Sequence, residues 1–220
     1  MMTNLFSAFD PATSLNMSMN WISSMTCMLI IPIQYWTLPN RLNIMLYIMT
    51  DTLNKEFVLL LNKWKGMTLL LISLFMFILI NNIMGLLPYV FTSSSHATFA
   101  LTMAAPMWVS IMIYGWVNKT NHMFMHLIPT GTPPVLMPFM VMIETISNLI
   151  RPGALAVRLT ANMIAGHLLM SLLGNNSIDS PILPLIIMIQ MMLMLFESAV
   201  AVIQAYVFSV LSTLYSSEVN

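Results

Sequence analysis

The sequence predicts an all-α integral membrane protein with about five membrane-embedded helices and one amphipathic helix on the membrane surface. Of its 220 residues, 59% are hydrophobic and only 6% are charged, whereas soluble proteins carry about 25% charged residues. Several apolar runs also reach the roughly 20 residues that a helix needs to cross the hydrocarbon core. We therefore expect a single membrane domain over residues 1–220.

Net charge and cysteine usage exclude several kinds of site. The formal net charge is zero, so no basic surface indicates nucleic acid as a partner. The single cysteine, Cys27, excludes an internal disulfide framework and a multi-cysteine metal site. His122 and His126 have the spacing of two metal ligands on one helix, but no third ligand is evident. We expect no metal, no cofactor and no catalytic nucleotide site in this chain.

The first half of the chain divides into a span, a surface helix and two further spans. Residues 15–38 are apolar enough for a first transmembrane helix, which Pro32 should bend or end. Residues 40–66 carry four of the seven basic residues among regularly spaced apolar residues, which is typical of an amphipathic helix on a membrane surface. Residues 67–90 and 99–117 follow as predicted transmembrane helices.

Basic residues also predict the orientation of the chain. Lysine and arginine accumulate on the side of the membrane from which the chain is not translocated. The segment 40–66 and Lys119 then lie on one side, separated by two crossings, and the N-terminus lies on the other side.

The second half contains two apolar segments that are too long for upright helices. Residues 135–173 and 182–215 would form helices of roughly 59 Å and 51 Å, against a hydrocarbon core of about 30 Å. Either each helix is divided, for example at Pro152, or both lie strongly tilted as a hairpin. Steep tilt requires that protein, rather than lipid, covers their polar residues.

The first long segment carries polar side chains at steps of three and four residues, so that they stay within about 40° of one line on a helix. This polar stripe consists of Glu144, Asn148, Arg151, Leu155, Arg158 and Asn162. His167 lies half a turn away from Arg158 and points to the opposite side. An isolated charge costs several kcal/mol to bury in a membrane, so these residues indicate a function.

The second long segment has polar residues at heptad spacing, namely Gln190, Glu197 and Gln204. Counted outward from the turn of a hairpin, His167 would lie near Glu197, and Arg158 near the segment that follows Glu197. Glu144 and Glu218 would meet at the open end. His167 and Glu197 titrate close enough to neutral pH for proton transfer, whereas an arginine keeps its charge in essentially any protein environment.

Simpler structural roles compete with these functional ones. Arg158 could extend to the membrane interface, and Arg151 could cap a break at Pro152 or pair with Glu144. Glu218 lies two residues from the end and could simply be solvated. The loop histidines are better explained as solvated or interfacial residues than as ligands.

Two other classes of membrane protein also carry charges inside the membrane. A proton-coupled secondary transporter usually has two related halves, and the sequence shows no internal repeat. A membrane subunit of a respiratory complex that binds quinone or haem would need paired histidines in mid-span, whereas only His167 lies deep in a predicted span.

The most specific motifs are Arg158-Leu159-Thr160-Ala161-Asn162 with Gly166-His167, then Glu197-Ser198-Ala199-Val200 and Gln204-Ala205-Tyr206. Through these motifs the chain resembles the subunit a family of the rotary ATP synthase, in the mitochondrially encoded form of animals such as arthropods. The resemblance is carried by residues 5–10, 81–95, 131–169 and 197–220, which are distributed along effectively the whole chain.

The resemblance implies a proton-translocating stator subunit with two offset half-channels beside a ring of c subunits, each of which carries one essential carboxylate. Arg158 matches the arginine that faces the ring and separates the half-channels. His167 and Glu197 match the polar pair of the intermembrane-space half-channel, whose acid and imidazole are exchanged in bacterial relatives. Glu144 and Glu218 match positions near the matrix half-channel.

Further expectations follow from the same resemblance. Asn162 and Gln204 match polar neighbours of the arginine. The implied partners are the c ring, other membrane and peripheral-stalk subunits, the transported protons and the lipid bilayer. The implied location is the mitochondrial inner membrane, with the N-terminus toward the intermembrane space and the segment 40–66 on the matrix side.

Overall fold

The computed structural model describes residues 5–13, 17–32, 35–61, 66–128, 133–177 and 183–219, and every regular element in these ranges is a helix. The α-helices are α1 (Thr26–Ile30), α2 (Arg41–Leu61), α3 (Met67–Gly85), α4 (Ala97–Asn118), α5 (Thr120–Leu127), α6 (Met137–Ser177) and α7 (Leu183–Val219). Three short 3-10 helices cover Leu5–Phe9, Met19–Met25 and Ser93–Ser95.

Four of these helices, α3, α4, α6 and α7, are long and apolar enough to cross a membrane. The prediction of an all-α membrane protein is therefore confirmed. The count of candidate spans within the described ranges is four, where the sequence predicted about five membrane-embedded helices.

The difference arises at residues 15–38, which do not form one long helix in their described part. A 3-10 helix and the five-residue α1 replace it. Side-chain hydrogen bonds hold this segment. The Ser24 hydroxyl donates to the Trp21 carbonyl at 2.8 Å and the Thr26 hydroxyl to the Ser23 carbonyl at 2.6 Å. The Ser23 hydroxyl reaches the Phe91 carbonyl at 3.2 Å and ties this segment to the loop after α3.

The helix α2 has one apolar face buried in the protein. Leu53, Phe57 and Leu61 recur at four-residue spacing and are buried, while α2 packs against α3 and α7. On its exposed side Lys55 and Asp51 form an ion pair at 2.7 Å. The pKa of Lys55 rises because its ammonium group donates a hydrogen bond to Asp51 and is attracted by its charge. Residues 62–65, which belong to the predicted surface helix 40–66, lie outside the described ranges.

The core forms where α3 meets the two longest helices. Buried residues of α3 such as Leu71 and Phe75 belong to the same cluster as Ala156 and Leu159 of α6 and Phe208 of α7. Alanine side chains let helix backbones approach closely in a membrane, where packing replaces the hydrophobic effect as the main attraction between helices.

The helices α6 and α7 are continuous over 41 and 37 residues, and α6 passes through Pro152 without ending. At about 1.5 Å per residue they measure roughly 62 Å and 56 Å, about twice the thickness of the hydrocarbon core. Helices of this length must run obliquely to remain in a bilayer. They pack against each other, and the connecting residues 178–182 lie outside the described ranges.

Candidate functional site

The polar stripe of α6 lies at the boundary between a buried face and an exposed face. The buried face consists of Leu155, Ala156, Leu159, Thr160, Met163 and Gly166. The exposed face consists of Ala154, Arg158, Ala161 and Ala165. The sequence places Leu155 on the same stripe as Arg158, but only 8% of its surface is exposed because it belongs to the cluster with α3 and α7. The tertiary packing thus divides the predicted stripe.

Arg158 is exposed on this outer face of α6. Among the described residues it has no ion pair and no hydrogen bond. Ala154 and Ala161, one helical turn away, and Ala165, two turns away, are exposed and small. A guanidinium group in an apolar helix that finds no partner among the described residues is suited to a partner from outside the chain.

At one end of the α6–α7 interface, Arg151 joins two carboxylates. Its guanidinium group bonds to the Glu218 carboxylate of α7 and lies 3.7 Å from the Glu144 carboxylate of its own helix. The same guanidinium carbon lies 5.1 Å from the centre of the Tyr215 ring. Glu218 is therefore paired rather than simply solvated. Arg151 also lies beside Glu144, the partner that the sequence offered for a structural role of Arg151.

A cleft of about 210 Å³ opens beside this three-charge cluster. Glu144, Asn148 and Glu218 line it, together with apolar residues of α4 and α5 such as Trp108 and Met123. Two carboxylates and an amide thus face a space large enough for several water molecules.

Glu197 is buried on α7 at the middle of the interface. Only 8% of its surface is exposed, and neither carboxylate oxygen has a hydrogen-bond partner among the described residues. Gly166 of α6 makes this position possible, because a Cβ built at residue 166 would lie 2.6 Å from Oε1 of Glu197. A cleft of about 330 Å³ is lined by Glu197, Asn162 and Gln204.

His167 follows Gly166 but lines a different cleft, of about 690 Å³, which it shares with Gln190. Its imidazole interacts with the Gly85 backbone, and Phe9 packs edge-on against it at a centroid distance of 6.1 Å. Its Nε2 is buried without a hydrogen-bond partner in the described part of the chain. The hairpin count predicts His167 and Glu197 as neighbours. No ion pair within 4.0 Å joins their side chains in the structure.

Two further polar residues at this junction received no role from the sequence. Asn82 of α3 is fully buried and donates from Nδ2 to the Ala201 carbonyl at 3.4 Å, one helical turn after Glu197, while its Oδ1 has no partner among the described atoms. The Ser94 hydroxyl is likewise buried and unpartnered there. An asparagine within an apolar helix is the signal that could have indicated the first of them.

Metal binding finds no support in the described ranges, where no three potential ligands cluster. His96 packs against Trp21 and Phe91 at centroid distances of 5.1 and 5.2 Å. The side chain of His126 lies outside the part of the chain that the structure describes.

These observations define a class: a helical membrane protein whose two longest helices carry ionisable groups along their shared interface, beside clefts at both ends. A family model described as ATP synthase A chain matches residues 15–217. Over the whole length of both chains, the sequence is 62% identical to ATP synthase subunit a from Aedes aegypti and 59% identical to those from Locusta migratoria and Drosophila melanogaster. The chain belongs to the ATP synthase subunit a family.

Proposed function

We propose that this chain is the proton-translocating stator subunit of a rotary ATP synthase and forms two offset half-channels. They load and unload protons on the carboxylates of a ring of c subunits, and ring rotation couples proton flow to ATP synthesis. One observation carries the proposal: polar clefts with ionisable groups lie on both sides of Arg158 along α6. Between Leu149, which lines one cleft, and Asn162, which lines another, α6 rises by roughly 20 Å.

One half-channel opens on the side of the membrane that the N-terminus of the chain faces. It runs through His167 and Glu197. His167 lines the wider and Glu197 the narrower of two clefts that share Leu86 as a lining residue. An imidazole and a carboxyl group can each bind and release a proton near neutral pH. Protons that reach Glu197 then leave toward the ring past Asn162 and Gln204, whose amides line the same cleft.

The second half-channel uses the cleft at the opposite end. Glu144 and Glu218 line it and share Arg151 as a counter-ion. Their side chains are 38% and 46% exposed, so they communicate with water more readily than Glu197 does. We assign to them the release of protons during ATP synthesis.

Arg158 separates the two half-channels. Its charge cannot be removed by titration, so it cannot pass protons from one cleft to the other. Its exposure between small alanine residues suits the close approach of a ring helix, whose carboxylate would be its transient partner. A deprotonated ring carboxylate is attracted, whereas a direct proton path past the guanidinium is blocked.

A family member acts together with other ATP synthase subunits. We assign the chain to the mitochondrial inner membrane, with membrane and peripheral-stalk subunits as neighbours in addition to the c ring. We place α2, with its basic residues, on the matrix side, because lysine and arginine accumulate on the side from which the chain is not translocated. Leu5 and Asp10 line a cleft with residues that follow the C-terminal end of α3, the end away from α2, so we place the N-terminus toward the intermembrane space.

The proposal is tested by Arg158→Ala in the assembled complex. We expect loss of both proton-driven ATP synthesis and ATP-driven pumping, with passive proton flux through the membrane sector, because no fixed charge then separates the clefts. Arg158→Lys should also be severely impaired, since an ammonium group lacks the planar fork and can lose its proton. ATP synthesis and passive proton flux are measured in the same vesicles. Near-normal synthesis by Arg158→Ala would overturn the proposal.

A further inference from the structure

The N-terminal segment Leu5–Asp10 borders the cleft that contains His167. All of its residues except Phe6 line the cleft, and the 3-10 helix Leu5–Phe9 contacts α6. Phe9 packs edge-on against the His167 imidazole. The segment therefore covers one side of the entrance to the proposed half-channel, although the proposed mechanism gives it no role.

Asp10 is held at this entrance by hydrogen bonds of its own. Its backbone carbonyl accepts a hydrogen bond from the Asn20 side chain at 3.1 Å, and its Oδ1 accepts one from the Ala12 backbone N–H at 3.3 Å. The residue is exposed to solvent. Asp10 and His167 are the sole carboxylate or imidazole side chains among the described residues that line the cleft.

Three ionisable groups follow one another in order of increasing burial. Asp10 is exposed, His167 is partly buried and Glu197 is buried. A proton that enters from solution would therefore meet groups of steadily decreasing exposure. A fixed negative charge at the mouth of a cleft with apolar walls also concentrates cations there, and protons with them.

We propose that Asp10 collects protons at the mouth of the cleft and passes them to His167. A carboxylate oxygen of Asp10 takes up a proton from water or buffer, and this O–H bond breaks as the proton moves through solvent in the cleft to the imidazole of His167. Asp10 returns to its carboxylate form, and the imidazolium of His167 releases a proton toward Glu197 and returns to neutral imidazole, so charge and atoms balance in each cycle. This inference rests on the proposed half-channel through His167 and Glu197, and it adds the group that supplies that half-channel.

The simpler alternative is that Asp10 has only a structural role and stabilises the turn before Asn20. Both roles predict some loss of activity on substitution, but they differ in pH dependence. A collecting group matters most where protons are scarce, whereas a structural group matters equally at every pH.

The test uses the assembled ATP synthase in vesicles and compares Asp10→Asn, Asp10→Glu and the control Asp51→Asn. ATP synthesis is measured while the pH on the N-terminal side is varied, with the total driving force held constant by a compensating membrane potential. We expect Asp10→Asn to slow synthesis about twofold or more at alkaline pH, since one unit charge acting through water over roughly 10 Å changes a local cation concentration by about that factor. The loss should vanish as the pH falls.

Asp10→Glu should keep the normal pH profile because it keeps the carboxylate. Asp51→Asn makes the same charge change on α2 and should leave the profile unchanged. An unaltered rate in Asp10→Asn, or an equal fractional loss at every pH, would overturn the inference. Glu197→Gln is measured in parallel: if it turns over normally, the half-channel itself is wrong, whereas an impaired Glu197→Gln beside a normal Asp10→Asn refutes the role of Asp10 alone.

Discussion

Gly166 lies so close to Glu197 that one added methyl group would move the carboxyl group. A Cβ at residue 166 would lie 2.6 Å from Oε1, 2.7 Å from Cδ and 3.1 Å from Oε2 of Glu197. Ordinary van der Waals contact begins at 3.4 Å, so Oε1 must move by about 0.8 Å (3.4 − 2.6) in Gly166→Ala. The carboxyl group is the mobile end of a long side chain, so it can move while α6 and α7 keep their packing.

The expected effects on stability and on function therefore differ. Alanine is preferred over glycine in a helix by about 1 kcal/mol, while a strained side-chain torsion costs about 0.5–1.5 kcal/mol. The free energy of unfolding should therefore change by less than about 1 kcal/mol. Displacement of a reacting group by about 1 Å can cost up to about 10²-fold in rate. If Glu197 transfers protons, Gly166→Ala should slow proton-coupled ATP synthesis tenfold or more.

The assay compares Gly166→Ala with Gly153→Ala, the same substitution on the same helix. A Cβ at residue 153 would meet nothing within 4 Å, so this control should keep both assembly and turnover. ATP synthesis in vesicles and thermal stability of the complex are measured for both variants. Normal synthesis by Gly166→Ala would show that the position of the Glu197 carboxyl group is unimportant, and a stability loss of several kcal/mol would show that the helices, not the side chain, had moved.

Two further predictions concern the outer face of α6 and its charged end. Cysteine at the exposed Ala161 should cross-link to the c ring, whereas cysteine at the buried Ala156 should not. Electrophoresis measures the cross-linked product, and equal cross-linking from both positions would contradict the assignment of the exposed face. Arg151→Gln leaves Glu144 and Glu218 without a counter-ion and should lower the free energy of unfolding by about 1–2 kcal/mol, a figure that allows for the partial exposure of these charged groups. The control Lys55→Gln removes an exposed partner of Asp51 and should leave the melting temperature unchanged. Equal stability in the two variants would deny Arg151 a structural role.

The part of the fold that sequence reasoning predicted depends on composition and local periodicity. The apolar content of α3 and α4 marks them as spans because a polar backbone must satisfy its hydrogen bonds within the helix when lipid surrounds it. The same reasoning did not anticipate the short helices in the described part of residues 15–38. Hydropathy records how apolar a segment is but not whether it folds as one continuous helix.

The sequence by itself determined which ionisable residues lie on which helix and in what angular order, because helical geometry repeats with a local period of 3.6 residues. It therefore aligned Arg151 and Arg158 on one stripe. Only the tertiary structure decided that Leu155 between them is buried, that Arg151 pairs with Glu218, and that Arg158 remains exposed. Exposure depends on neighbouring helices that are distant in the chain, and about 60° around α6 separates the buried Leu155 from the exposed Arg158.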